Sequence, residues 1–294
     1  TNGNVTFDTA GHQITLSGKL SGPGGLKKDG DGTLAITNTG NTFSGDTTVS
    51  GGTLQLTDAR LYPYGGWADI LVTVEGGAVV EVAGWGDADT LGIGKTSFDA
   101  ANVVLDDGTI RYTGSSISGN ADRGFSIGAG GATLEAEGTN TWTLLKGRNF
   151  GITSAEGGTL TLAGSKDGEL TIELGGSGGL VKSGSGTWTV GGANTYTGET
   201  TVSNGFFVAR HDNALGAGGA GNGSIVESGA TLQLQEDGVD GTPGVIIADE
   251  ALRRRFTERL VALGVSPNAF GMHMATAAYS PEGAEWVDAL TVYL

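Results

Sequence analysis

Cysteine is absent from the 294 residues. Its absence removes disulfide staples, thiolate zinc ligands and a cysteine nucleophile together, so stability must come from packing and hydrogen bonding. Histidine occurs three times, as His12, His211 and His273, in distant regions and never in an H-x-x-x-H or H-E-x-x-H spacing. A zinc site therefore finds no ligand pattern. Proline is held to 5 residues, which argues against a Pro-rich disordered chain. Basic residues are scarce: 16 Lys and Arg stand against 32 Asp and Glu, a formal net charge of −16. That balance would repel a phosphate backbone and disfavours a nucleic-acid partner. No stretch approaches the roughly 18 apolar residues of a spanning helix, so no transmembrane segment is expected. No signal peptide is visible, and Thr1 reads as a mature N-terminus left by processing.

Glycine, by contrast, supplies 56 residues, where an average chain has roughly 7%. There is no Gly-X-Y period, which excludes collagen. The glycines punctuate short runs in which apolar and polar residues alternate. One motif recurs: Gly-Gly or Asp-Gly, a small residue, then apolar-polar-apolar. It stands at Gly51–Leu56, Asp107–Tyr112, Gly131–Ala136, Gly157–Leu162 and Gly229–Leu234, and more loosely at Gly76–Val80. Occurrences fall mostly about 20–30 residues apart, the spacing of a solenoid coil. Alternation puts Leu54 and Leu56 on one face and Gln55 on the other. One coil cannot bury that face alone, but stacked coils share a core. The expected fold is all-β, a right-handed parallel β-solenoid over residues 1–243, with on the order of ten coils at about 25 residues each.

A longer duplication lies on top of this repeat. Gly24-Gly25-Leu26 matches Gly178-Gly179-Leu180, and Lys28, Gly30, Gly32 and Thr33 match Lys182, Gly184, Gly186 and Thr187. Asn41-Thr42-Phe43-Ser44-Gly45 matches Asn194-Thr195-Tyr196-Thr197-Gly198, and Thr47–Ser50 matches Thr200–Ser203. The second copy continues into Asp212-Asn213-Ala214-Leu215-Gly216. These segments resemble the autotransporter-associated β-strand repeat, whose pattern is roughly GxGGLxKxGxGTLxLxGxNTYxGxTTVxxGTLxL. The resemblance implies a parallel β-helix, export across a bacterial envelope and an extracellular or cell-surface role. The second copy departs from the pattern at Asn204-Gly205-Phe206-Phe207-Val208. Two adjacent Phe of a strand cannot both face one core, so one of them is expected to meet a partner or a covering loop.

Residues 57–70 and 113–125 fit the coils poorly and read as excursions. The first carries Tyr62, Tyr64 and Trp67, an aromatic loop able to take carbohydrate or protein. From about Pro243 the composition changes. Leu252, Phe256, Leu260 and Leu263 follow a helical stripe, with Gly264 and Pro267 closing it. The final residues alternate again, with Leu290, Val292 and Leu294 on one face. Residues 244–294 therefore form a small C-terminal α/β module that caps the solenoid or joins it to another copy by strand addition.

Catalysis has little to build on. Asp106-Asp107 and Asp87/Asp89 are paired carboxylates of the kind glycosidases use, but acidic residues beside glycine are commonly turn formers. Asp29-Gly30-Asp31-Gly32 and the run from Glu236 to Asp240 place carboxylates on turns, which suits calcium. The calcium-binding G-G-x-G-x-D repeat is missing. The sequence thus points to a structural surface rod able to assemble head-to-tail into a filament or matrix, with an adhesin for carbohydrate or a host surface as the alternative, and not to an enzyme. No cofactor is expected, calcium being the one ion its turns suit. The expected partners are further copies of itself and surface carbohydrate. Phe206, Phe207, Leu290, Val292 and Leu294 are its expected assembly contacts, and Tyr62, Tyr64 and Trp67 its expected ligand loop.

Overall fold

The computed structural model describes residues 3–57, 61, 70–84, 92–93, 102–115, 124–146, 151–217 and 223–235. The C-terminal module expected at 244–294 and the boundary at 243 lie outside the described residues.

A strand with one apolar face must lay that face against another layer. This chain does so by coiling. Strand Gln13–Leu16 pairs with Thr33–Ile36, which pairs with Thr53–Leu56, each time in parallel and each time after 20 residues. Ile14, Leu34 and Leu54 come into register on the core side, and Gln13, Thr33 and Thr53 on the solvent side. The same parallel pairing carries through the later coils.

Three faces result. The first sheet has eight strands, from Val5–Asp8 to Leu174–Gly176, and the second has ten, from Gln13–Leu16 to Ser224–Val226. About eight coils therefore carry both. The third face holds the two-stranded pair Ser21–Gly22 and Thr42–Phe43 early in the chain, and a five-stranded sheet from Trp142–Leu144 to Thr231–Leu234 later. No α-helix occurs among the described residues. One apolar core runs through the stack: Leu34, Leu54, Val80, Ile110, Leu134 and Leu162 follow one another inside the second sheet, all buried.

Extra residues enter at corners and leave the ladder intact. The step lengthens from 20 residues to 31 between Val72 and Val103, yet these two residues remain direct partners. The excursion expected at 57–70 is anchored at both ends, because Leu61 and Ile70 are buried in the core and the Leu61 N–H bonds the Gly92 carbonyl at 2.8 Å.

Aromatic rings fill the core where the third sheet begins. Trp142 stacks on Tyr112 at 5.4 Å and meets Trp188 edge-on at 6.0 Å. Trp142 and Trp188 are two coils apart, and the rung between them holds Gly168 in register with both. The missing side chain at Gly168 is what lets the indoles meet, since a Cβ there would stand 2.6 Å from the Trp188 ring. The Trp188 Nε1–H donates to the Ala163 carbonyl at 2.9 Å, so the buried indole keeps its hydrogen bond.

Replacing Gly168 by Ala overpacks this stack and should destabilise the chain by about 1–3 kcal/mol. Gly18, whose added Cβ meets nothing within 4 Å, supplies the matched control. Guanidinium midpoints of G168A and G18A should differ, with G18A close to the parent.

Candidate functional site

Leu26 and Lys28 are two residues apart in a strand and so share a face, as do Leu180 and Lys182. Because the leucines face the core, so do the lysines, and both are fully buried. Lys28 stands between Phe7 and Val49 in the inward column of the first sheet, and Lys182 between Leu162 and Val202 in that of the second. A charge in an apolar column demands hydrogen bonds. Lys28 Nζ donates to the carbonyls of Asp29, Gly30 and Gly51 at 2.9, 2.7 and 2.9 Å. Lys182 Nζ donates to Ser183, Gly184 and Asn204 at 2.7, 2.9 and 3.0 Å. Each ammonium spends its three donors on two carbonyls of its own corner and one from the corner of the next coil. Burial pulls Lys182 down to about 8, and moves Lys28 in the same direction. The three carbonyl dipoles counter it by favouring the ammonium.

The duplicated segments do not occupy equivalent faces. In the first copy the staple closes the corner from the first sheet (Leu26–Asp29) to the second (Thr33–Ile36). In the second copy it closes the corner from the second sheet (Leu180–Lys182) to the third (Thr187–Val190). The repeat therefore specifies a corner, wherever on the coil that corner falls. Each copy adds an asparagine tie: Asn41 Oδ1 accepts from the Leu20 N–H, and buried Asn194 accepts from Leu174 and donates to the Ala214 carbonyl.

The contact residues expected from sequence separate. Phe207 lies inside, in register with Trp188, and is fully buried. It is a core residue and not a surface contact, because alternation turns it inward when Phe206 turns outward. Phe206 is 49% exposed, beside Thr187 and Thr231 on the solvent face of the third sheet. Leu290, Val292 and Leu294, and the loop residues Tyr62, Tyr64 and Trp67, lie outside the described residues.

The polar candidates act as corner formers. Asp106 Oδ1 accepts from the Gly130 N–H at 2.7 Å, and Asp8 Oδ1 from the Ala10 N–H at 2.9 Å. The bonded Gly30 N–H, with Lys27 beside it, holds the Asp29 carboxyl below its ordinary range. His211 Nδ1 accepts from the Asn213 N–H within its own turn. Among the described residues no three His, Asp or Glu side chains gather closely enough to hold a metal ion.

The lysine staple was within reach of the sequence: Lys28 and Lys182 stand in phase with leucines that must face inward. Lys182→Met keeps the stem and removes the donors, leaving three part-buried carbonyls short of a partner. It should cost about 1–3 kcal/mol, read as a lowered denaturation midpoint, with no comparable loss for the half-exposed Lys146→Met.

Comparison with known proteins agrees with this geometry. The passenger-associated-transport-repeat family matches residues 26–56 and 180–208, the two stapled segments. The chain is 33% identical over 253 residues to the Adhesin BmaC autotransporter of Brucella suis biovar 1 (strain 1330). That match covers 75% of this chain and 6% of the relative's length. No solved structure matches the chain. Two passenger repeats on one parallel solenoid, with that similarity, identify the chain as an autotransporter passenger-type β-solenoid of a surface-exposed or secreted protein.

Proposed function

We propose that this solenoid is an adhesin-like passenger rod, which holds binding surfaces away from the cell and catalyses nothing. The observation that carries the reading is the 33% identity to a named autotransporter adhesin along 75% of the chain. The fold supports it. Successive coils fix outward side chains at the strand spacing of roughly 4.8 Å, which suits extended contact better than convergent catalysis. Corner carboxylates such as Asp106 are already engaged by backbone N–H groups.

Displayed on a non-adherent bacterium through a carrier barrel, the chain should raise attachment to cultured epithelial cells or to immobilised matrix proteins. Attachment equal to that of an unrelated solenoid on the same carrier would sink the reading. Y62A/Y64A/W67A tests whether the aromatic loop contributes.

A second reading, self-assembly, draws on exposed Phe206 and the alternating end Leu290, Val292 and Leu294. Negative-stain electron microscopy should then show filaments from the full chain, fewer from F206S, and single short rods from a chain ending at Ser280. Short rods from all three would end the assembly reading and leave adhesion standing.

A further inference from the structure

The corner between the first and second sheets is a single residue at Asp107, between strands Val103–Asp106 and Gly108–Tyr112. In the coil before, the same corner runs over 76–78; in the two coils after, it runs over 128–131 and 155–159. A short corner beside longer ones leaves a notch, and here it opens as a groove of about 370 Å³ across successive coils. Asp107 holds the tight turn at φ 59°, in the left-handed region that Asp tolerates better than most side chains.

Asp107, Thr109, Thr133, Thr159 and Thr161 line the groove, with the backbone of Gly131 among them. Thr109, Thr133 and Thr161 are direct register partners, so their hydroxyls repeat once per coil. The same outward column continues as Val79, Thr53 and Thr33 on one side and as Val181, Thr201 and Ile225 on the other. No hydrogen bond within the described residues engages the Asp107 carboxylate or these four threonine hydroxyls. In the next outward column Arg111 pairs with Glu135 at 2.7 Å, and Glu81 keeps its charge while accepting from the Gln55 amide at 2.9 Å. On a chain of net charge −16, Asp107 is the one ionisable side chain among the residues that line the groove.

We propose that the groove binds a neutral polysaccharide lying along the solenoid axis, with successive sugars meeting successive threonine rungs. The inference rests on the adhesin reading and adds to it a site and a ligand class. Sugar hydroxyls donate and accept, as do threonine hydroxyls, while Asp107 and the glycine carbonyls accept from them. A polyanion would meet Asp107 and the negative chain. A peptide would find no apolar pocket for its side chains, since threonine methyls and alanine are the apolar groups of the wall. A ladder repeating at roughly 4.8 Å fits a polymer and offers a lone monosaccharide little.

The test is calorimetric titration of the full chain with soluble dextran, mannan and laminarin, and with hyaluronan as the polyanionic comparator. T109V/T133V/T161V removes the hydroxyls and keeps the β-branched shape. D107N keeps a residue that tolerates the left-handed turn and removes the charge. T33V/T53V makes the same change in the same column outside the groove. At least one neutral polymer should bind, the triple variant should weaken it about tenfold or more, D107N should weaken it too, and the control should stay within about twofold. Binding of no neutral polymer, preference for hyaluronan, or an unaffected triple variant would overturn the proposal. Matching melting curves for the variants separate lost binding from lost fold. Adhesion to cells is scored in parallel: adhesion that survives the triple variant removes the groove and leaves the adhesin reading. Polysaccharide binding without adhesion does the reverse.

Discussion

The described fold depends on one constraint: none of its strands finds its hydrogen-bonding partner within its own turn. A parallel coil can satisfy its backbone only from the coil above and the coil below. Each turn must therefore return to the same register, whatever lies between. The 20-residue step is the bare coil, and the 31-residue step between Val72 and Val103 shows what the constraint allows. Residues can be added at corners without limit from the ladder, but none can be added within a strand without turning its apolar face outward. The corners thus carry the variation, and they are also where the strain is placed. Gly52, Gly131, Gly184 and Gly205 all take positive φ there, and Asp107 is one of two side-chain-bearing residues that do so among the described residues.

Corners made of glycine would be loose without something to hold them, and the buried lysine meets that need. A charged group inside an apolar column is costly, and a hydrophobic residue of similar volume would often serve stability as well. What it would not do is hold three carbonyls at a fixed point. An ammonium has three donors at tetrahedral angles, and two adjacent corners present three carbonyls around it. The staple favours one corner geometry over its alternatives, a gain in specificity more than in net stability. That explains why the repeat can move from one corner of the coil to another between its two copies. Its information concerns how to turn, not which face to occupy.

Much of this was legible in the sequence. Alternation in Gly51–Leu56 fixed which residues face in, and the Gly-Gly spacing gave the coil. The adjacent phenylalanines forced a split, and the structure turns Phe207 inward and Phe206 outward. The lysines were visible as repeat positions, yet composition suggests an exposed charge, and only their phase with Leu26 and Leu180 indicates burial. The indole pair was hidden for a different reason. Trp142 and Trp188 meet across Gly168, and that contact needs the register of two successive steps of unequal length, 26 and 20 residues. The groove at Asp107 was hidden likewise, because a notch is a difference in corner length between neighbouring coils and no single segment records it.

The same geometry bears on what such a rod can do. A catalytic site needs groups of different chemistry brought to one point, each with its own orientation. A solenoid does the opposite on its strand faces, since register lines up positions of similar environment, and the second sheet shows Thr109, Thr133 and Thr161 in one row. Rows discriminate by repetition. A ligand without a repeat gains from one rung, whereas a polymer of similar period gains from several at once, each contact raising the effective concentration for the next. Individual contacts can then be weak and the attachment still hold, which suits a surface rod. It also places selectivity in the interruptions of the row. Val79 and Val181 flank the three threonines in the same column, so the hydroxyl run begins and ends where a β-branched methyl replaces the oxygen. The length of that run, three adjacent coils, fixes how much of a chain the groove can read.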